Sequence, residues 1–379
     1  MTHNPLIIDA VRTARGKRKG RFATLHPTDL ATFPLNALAT RNKLDPSLVE
    51  DVMLGCVTQT GEQGWCVARK AVLAAGWPIS VPATTINRLC GSGQQAVNSV
   101  ASAIAAGTYD IAVGGGVEHM TRCPMFSDIG GEESPMLVAR FPDLVQQGVA
   151  AEILSETYKL SRESLDEYAA RSQQRAAAAQ KSGFFSKSII SVNVPGLGEV
   201  NADEAIRPET TPAGLAALKP VFKPDGVITA GNASAIVDGA AAILLASENA
   251  AKRLGLKPRG RIIASAVIGS PPKIMLTGPI AASKLALSKA GLSVNDIDVW
   301  EINEAFAPVP LVTIKELNLD PNKANVNGGG ISLGHPLGAT GAMLIGTALD
   351  ELERTEKRYA CITMCIGLGM GIATVIERI

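Results

Sequence analysis

Over the first 120 residues, short apolar runs alternate with longer segments that are apolar on one face only. The runs at 6–9, 51–57, 83–87 and 111–114 are rich in Val, Ile, Leu, Ala and Thr and too short for helices, so they predict strands. Between them, apolar spacing and glycine boundaries predict helices over 29–41, 65–75 and 92–106. The last is the clearest, because Val97, Val100, Ala101 and Ile104 fall on one stripe. Strands alternating with helices point to a parallel or mixed sheet.

That texture breaks over 121–233. Loop-like stretches at 127–135, 195–205 and 207–214 surround a polar helix, 161–182, which carries Arg162, Arg171, Arg175 and Lys181 among alanines. The region reads as an inserted, partly exposed subdomain whose basic residues form a solvated helix face. From about 234 the strand–helix alternation returns, with strands at 241–246, 261–268, 298–302, 325–327 and 360–365 and a helix at 278–290. Segment 42–52 is echoed by 291–299. Each follows an Ala/Leu-rich helix and leads into a strand. The spacing is far too long for a solenoid and fits two α/β halves packed together.

Composition narrows the class. Of 379 residues, 46% are hydrophobic and only 4% aromatic, with 37 glycines, which suits buried strands covered by closely packed helices. The net charge of +1 calls for neither nucleic acid nor an anionic membrane as partner. No apolar run is long enough to span a bilayer. Six cysteines are too sparse for a disulfide framework, and the chain enters Leu6-Ile7-Ile8 without a leader-like segment. Reduced thiols in the cytoplasm are therefore expected.

Candidate chemistry sits at glycine-rich strand ends. Asn87-Arg88-Leu89-Cys90-Gly91-Ser92-Gly93 follows a strand and opens a helix, so Cys90 lies near a helix N-terminus, where free N–H groups favour a thiolate. The segment alone also fits a buried structural cysteine at a tight turn. Gly328-Gly329-Gly330 through Gly334-His335-Pro336-Leu337-Gly338 repeats the strand–turn–helix form, and it holds one of only four histidines. A histidine there can take a thiol proton, although a histidine satisfied by backbone fits too. Cys365-Ile366-Gly367-Leu368-Gly369 follows an apolar strand, with too little chain beyond it for a dinucleotide fold. Cys361 and Cys365 lack a second nearby Cys/His pair, so no metal site is expected. Asn303 and Glu304, taken alone, read as a helix cap and first turn. Cys56, Cys66, Cys123 and Cys361 read as structural, and His3, His26 and His119 are assigned no role.

Together these segments resemble the thiolase family over essentially the whole chain. The matching stretches are Asp9-Ala10-Val11-Arg12-Thr13, the Cys90 segment, Gly115-Gly116-Val117-Glu118, Thr229-Ala230-Gly231-Asn232-Ala233-Ser234, Asp238-Gly239-Ala240, Thr277-Gly278-Pro279, Asn303-Glu304-Ala305-Phe306, Asn327-Gly328-Gly329, Gly334-His335-Pro336 and Cys365-Ile366-Gly367. The resemblance implies an α/β, five-layer αβαβα fold of two similar halves. The N-terminal half would take 1–120 plus about 234–260, the inserted loop domain 121–233, and the C-terminal half 261–379. It implies a homodimer or homotetramer that acts on CoA thioesters, with CoA as a substrate and no cofactor.

The resemblance also implies residue roles. Cys90 is the nucleophile that carries the acyl group, and His335 takes its proton. His335 and an Asn303-held water form one oxyanion hole, and the N–H groups of Cys90 and Gly367 form the other. Cys365 is the second acid/base, and Ser234 lies in the loop that contacts the pantetheine. Acetoacetyl-specific members often carry His-Met-Gly where this chain has Gln146-Gln147-Gly148. The Glu118-His119-Met120 run is similar to that of degradative members. The implied activity is thiolytic cleavage of 3-ketoacyl-CoA. The alternatives are acetoacetyl-CoA formation from two acetyl-CoA, a carrier-protein condensing enzyme, which is expected to lack Cys365, and a non-catalytic lipid-binding relative.

Overall fold

The structure, a computed structural model, describes residues 4–379, and His3 lies outside them. The strands are β1 (Leu6–Arg12), β2 (Gly16–Lys17), β3 (Asp51–Gly55), β4 (Ala83–Ile86), β5 (Ile111–His119), β6 (Val192–Val194), β7 (Gly198–Val200), β8 (Val237–Ala246), β9 (Gly260–Gly269), β10 (Val299–Ile302), β11 (Tyr359–Ile366) and β12 (Met370–Arg378). One sheet runs β10-β11-β12-β9-β1-β8-β5-β3-β4.

Its two ends share one topology. In the first half, β3 is parallel to both β4 and β5, while β8 is antiparallel to β5 and β1. In the second, β10 is parallel to β11, while β12 is antiparallel to β11 and β9. A single parallel bridge between Trp300 and Ala324 stands where β4 stands in the first half. The halves join where β1 meets β9 at Leu6–Arg261 and Ile7–Gly260. The sequence echo falls on equivalent places. Each outer helix, Pro27–Asn42 or Gly278–Ala290, is followed by a short 3-10 turn and then by β3 or β10.

Strand alternation builds the layers. On β8, Ala240, Ala242, Leu244 and Ala246 face one core, while Ala241, Ile243 and Leu245 face another. The first core is capped by the helices Pro27–Asn42 and Val67–Ala74. The second holds Ser92–Ala105 and Leu337–Arg354, clasped between the two half-sheets. On the far side, Gly278–Ala290 and Pro308–Leu317 cover the third core. The result is five layers, αβαβα. Leu337–Arg354 is buried on every side from Leu337 to Leu352, as a central helix between two sheets must be.

Several expectations are corrected. The predicted strand at 325–327 is absent, and only the Ala324 bridge forms, because the Asn325 side chain occupies the backbone of β10 from the side. β5 continues past Gly114, where the expected strand ends, to His119. A Cβ at Gly116 would overlap the Gly338 carbonyl, so the glycines record close packing. The segment after Cys365 returns as β12, a strand that the reading left out. The helix expected over 65–75 begins only at Val67, since Trp65 and Cys66 are left-handed with φ of 51° and 56°. Segment 195–205 holds the second strand of the β6–β7 hairpin, and Pro212–Ala216 starts a short helix inside 207–214.

Candidate active site

Cys90 sits in a turn held by side chains on both flanks. Asn87 accepts from the Leu89 N–H at 2.8 Å and donates to the Val57 carbonyl at 3.0 Å. Ser92 accepts from the Arg88 N–H at 2.9 Å and donates to the Leu89 carbonyl at 2.6 Å. These bonds hold Leu89 in the left-handed region, with φ of 46°, a strained setting for a branched residue. The strain turns Cys90 inward, leaving it 4% exposed. Its Sγ receives the Gln147 side-chain amide at 3.7 Å and the Gly367 N–H. The expectation that the helix N-terminus lowers this thiol is corrected: burial outweighs the donors and pushes it up. The resting sulfur is therefore a thiol that needs a base.

His335, which lines the same cleft, is a candidate for one. Gly334, with φ of 96°, turns the chain so that the imidazole is buried beside the cleft. Nδ1 lies 2.6 Å from Thr340 Oγ1, and that hydroxyl donates to the Pro336 carbonyl at 3.0 Å. With its single proton spent there, Thr340 must accept from Nδ1–H, which leaves a lone pair on Nε2. Burial, reinforced by the Arg15 guanidinium, pushes the imidazolium down to about 3. His335 is neutral and able to receive a proton.

Asn303 follows β10 and places Nδ2 3.3 Å from His335 Nε2. Its Oδ1 is buried without a partner, an acceptor left open beside the imidazole. The cap reading of Asn303 and Glu304 is corrected, since the next helix begins at Pro308. Glu304 instead accepts from Tyr168 Oη at 2.8 Å, Ser172 Oγ at 2.7 Å, Asn325 Nδ2 at 3.0 Å and the Ile331 N–H at 3.1 Å. It ties the helix Arg162–Lys181 to the segment before His335.

Cys365 is fully buried on β11, and the proximity of Cys90 adds to the burial that pushes its thiol up. The β11–β12 turn, with Leu368 and Gly369 at φ of 63° and 80°, presents the Gly367 N–H toward Cys90. Cys90, His335, Gln147, Met120 and Leu337 line the inner end of a cleft of about 730 Å³. Ser234 and Phe306 line its wall, and Lys17, Arg18 and Arg207 also line it, exposed to solvent. Among the described residues, no group of His, Cys, Asp or Glu gathers as a metal site. Two further histidines among the described residues do structural work. His26 caps a helix by accepting from the Thr28 N–H at 3.1 Å, and buried His119 bonds the Phe22 carbonyl at 3.0 Å.

Sequence reasoning missed Gln147, Thr340, Arg15 and Glu118 as parts of this site. Glu118 is the clamp of the His335 loop. Its Oε2 accepts from the N–H groups of Val57 at 2.9 Å and Gly338 at 2.8 Å, and its Oε1 from Thr58 N–H at 3.1 Å and Gln63 Nε2 at 2.9 Å. Glu118→Gln turns one of these oxygens into a donor facing donors. The variant is expected to lose about 3 kcal/mol of stability, read as a lower urea midpoint. An unchanged midpoint would remove Glu118 as a clamp.

Comparison with known proteins follows the same geometry. Residues 6–249 match the family model "Thiolase, N-terminal domain", and residues 256–378 match "Thiolase, C-terminal domain". The chain belongs to the thiolase family. It is 49% identical over 389 aligned positions to the "3-ketoacyl-CoA thiolase" of Serratia proteamaculans, covering 99% of this chain and 100% of that one. It is 48% identical to the protein of the same description from Salmonella typhimurium, with 99% of each covered. Among solved structures, the Bacillus anthracis acetyl-CoA acetyltransferase matches with a TM-score of 0.92 at 38% identity, covering 100% of this chain and 99% of that one. The thiolase fold is thus shared along the full length of the chain.

Proposed function

We propose that the chain is an acyltransferase that cleaves a 3-ketoacyl-CoA with CoA, giving acetyl-CoA and a shortened acyl-CoA. The observation that carries the reading is that Cys90 and a neutral His335 line the same cleft, with the second thiol, Cys365, buried next to Cys90 behind the lining.

Cys90 gives its proton to His335 Nε2, and its sulfur attacks the 3-keto carbon. The carbonyl electrons move to the 3-keto oxygen, held by the N–H groups of Cys90 and Gly367. The C2–C3 bond then breaks, its electron pair spreads over C2 and the substrate thioester oxygen, which His335 Nε2–H and a water donating to Asn303 Oδ1 hold, and Cys365 protonates C2, so acetyl-CoA leaves. The acyl group remains on Cys90, with its thioester oxygen held by the N–H groups of Cys90 and Gly367. The Cys365 thiolate then takes the proton of an incoming CoA thiol, CoA attacks the acyl carbon, and Cys90 leaves and recovers its proton from His335. A preorganised donor pair at each oxyanion contributes about 3 kcal/mol, and the covalent stage implies ping-pong kinetics.

On the same reading, residues 121–233 act as a loop domain that takes up CoA with Ser234, and Lys17, Arg18 and Arg207 meet its phosphates. The reaction needs CoA only as a substrate, with no cofactor. The six unpaired cysteines support a cytoplasmic setting, and family membership supports a homodimer or homotetramer.

The test is CoA-dependent cleavage of 3-ketoacyl-CoA substrates of increasing length. Met120, Met125 and Leu337 make the wall near Cys90 apolar, and burying a methylene contributes about 0.8 kcal/mol, so kcat/KM is expected to rise about fourfold per added methylene until the pocket fills. A sharp optimum at the four-carbon acetoacetyl substrate would transfer the reading to acetoacetyl-CoA chemistry. Absence of cleavage at every length, with CoA still bound, would overturn it.

A further inference from the structure

Gln147 touches the reacting sulfur, yet the mechanism above gives it no part. It is the first residue of the helix Gln147–Tyr158, and that helix end is anchored. A Cβ at Gly148 would run into the Phe222 ring, and Glu152 one turn on accepts from the Val227 and Ile228 N–H groups at 2.8 and 2.9 Å. The side chain lines the cleft, half-buried, with Nε2 3.7 Å from Cys90 Sγ. Gly367 leaves room for it, since a Cβ there would stand 3.2 Å from the same nitrogen. Besides its own backbone N–H, the sulfur is thus met by two neutral donors from opposite parts of the chain, Gln147 Nε2–H and Gly367 N–H.

Those donors matter because of what surrounds them. The titratable groups facing the sulfur are His335, Cys365 and Glu118. His335 resists becoming a cation, so a stable thiolate–imidazolium pair is weak here. Cys365 and Glu118 both oppose negative charge on Cys90. Charge on the sulfur can therefore be held only by dipoles.

We propose that Gln147 is a further catalytic residue, whose side-chain amide donates to Cys90 Sγ and holds the charge of the attacking thiolate. The donor acts most strongly while sulfur is anionic and weakly once it carries the acyl group, so it accelerates formation of the intermediate. The inference rests on Cys90 being the nucleophile.

The experiment follows iodoacetamide alkylation of Cys90 across the neutral and alkaline range, read by mass spectrometry of the Cys90 peptide, in the full-length wild type, Gln147→Met and Gln147→Glu. Gln147→Met keeps the volume and loses the donor. It is expected to react about tenfold more slowly near neutrality, with its midpoint about one pH unit higher. Gln147→Glu sets a carboxylate against the sulfur and is expected to move the midpoint further in the same direction. Should Gln147→Met misfold, as judged by its thermal transition, Gln147→Leu tests the same loss. A non-donor variant with the wild-type midpoint overturns the proposal, as does a Glu variant no different from Met. A wild type in which Cys90 is the slowest of the six cysteines to react would instead remove Cys90 as nucleophile, and so separates the two failures.

Discussion

Cys90→Ala is expected to lower kcat for CoA-dependent cleavage of a 3-ketoacyl-CoA about a millionfold, the scale seen when a covalent nucleophile is removed from a site that acts as a unit. Without the sulfur no acyl-enzyme forms, and direct attack of CoA on the 3-keto carbon must proceed without His335 as a matched base. The turn should survive the change. Asn87 and Ser92 make the bonds that shape it, while the Cys90 sulfur accepts from Gln147, from the Gly367 N–H and from its own backbone N–H. Two measurements check this. Steady-state cleavage should vanish in the variant while CoA affinity persists. Mass spectrometry of wild type mixed with substrate alone should show an acyl adduct on the Cys90 peptide that the variant lacks. Wild-type turnover in Cys90→Ala would exclude the acyl-cysteine route.

His335→Ala is expected to cost about a thousandfold in kcat/KM, within the range for a lost general base. Burial and the neighbouring Arg15 hold the folded imidazolium down to about 3, against an ordinary value of 6.5. His335 therefore stays neutral through that whole window, and wild-type kcat/KM should show no acid limb near 6.5 from this residue. A limb there that disappears in His335→Ala would contradict the buried, neutral assignment. Stability carries the complementary signature. The unfolded imidazole binds a proton near 6.5 and the folded one only near 3, so unfolding takes up a proton between these values. Stability falls as pH drops through that window, because the unfolded state binds more protons. His335→Ala should lose this part of the slope in urea titrations run at successive pH values.

Much of the architecture was readable because local physics dominates it. The stripe Val97, Val100, Ala101 and Ile104 has nowhere to go but a core, and Ser92–Ala105 is indeed sandwiched there. The echo of 42–52 in 291–299 marked a repeated half because the same helix–turn–strand unit recurs at equivalent sheet positions. The misreadings have a common cause. The strand expected to end at Gly114 runs on to His119 because the backbones of Val97, Ala241 and Gly338 close on Gly114, Gly115 and Gly116, where a Cβ would not fit. Asn303 and Glu304 look like a cap, but Glu304 finds four donors from the helix Arg162–Lys181, Asn325 and Ile331.

By itself the sequence determined the alternation of strands and helices, the two similar halves, and the glycine-flanked Cys90, His335 and Cys365. These depend on spacing, volume and backbone freedom within a dozen residues. Only the tertiary structure decided which of those groups meet and in what state. It buried Cys90 deeply enough to make it a thiol at rest, and it kept His335 neutral between Thr340, Asn303 and Arg15. It also brought Gln147 from the helix Gln147–Tyr158 and Glu118 from β5 to the same place. Desolvation and Coulomb forces act through space, so residues far apart in the chain set them, and no pattern along the sequence can carry that information.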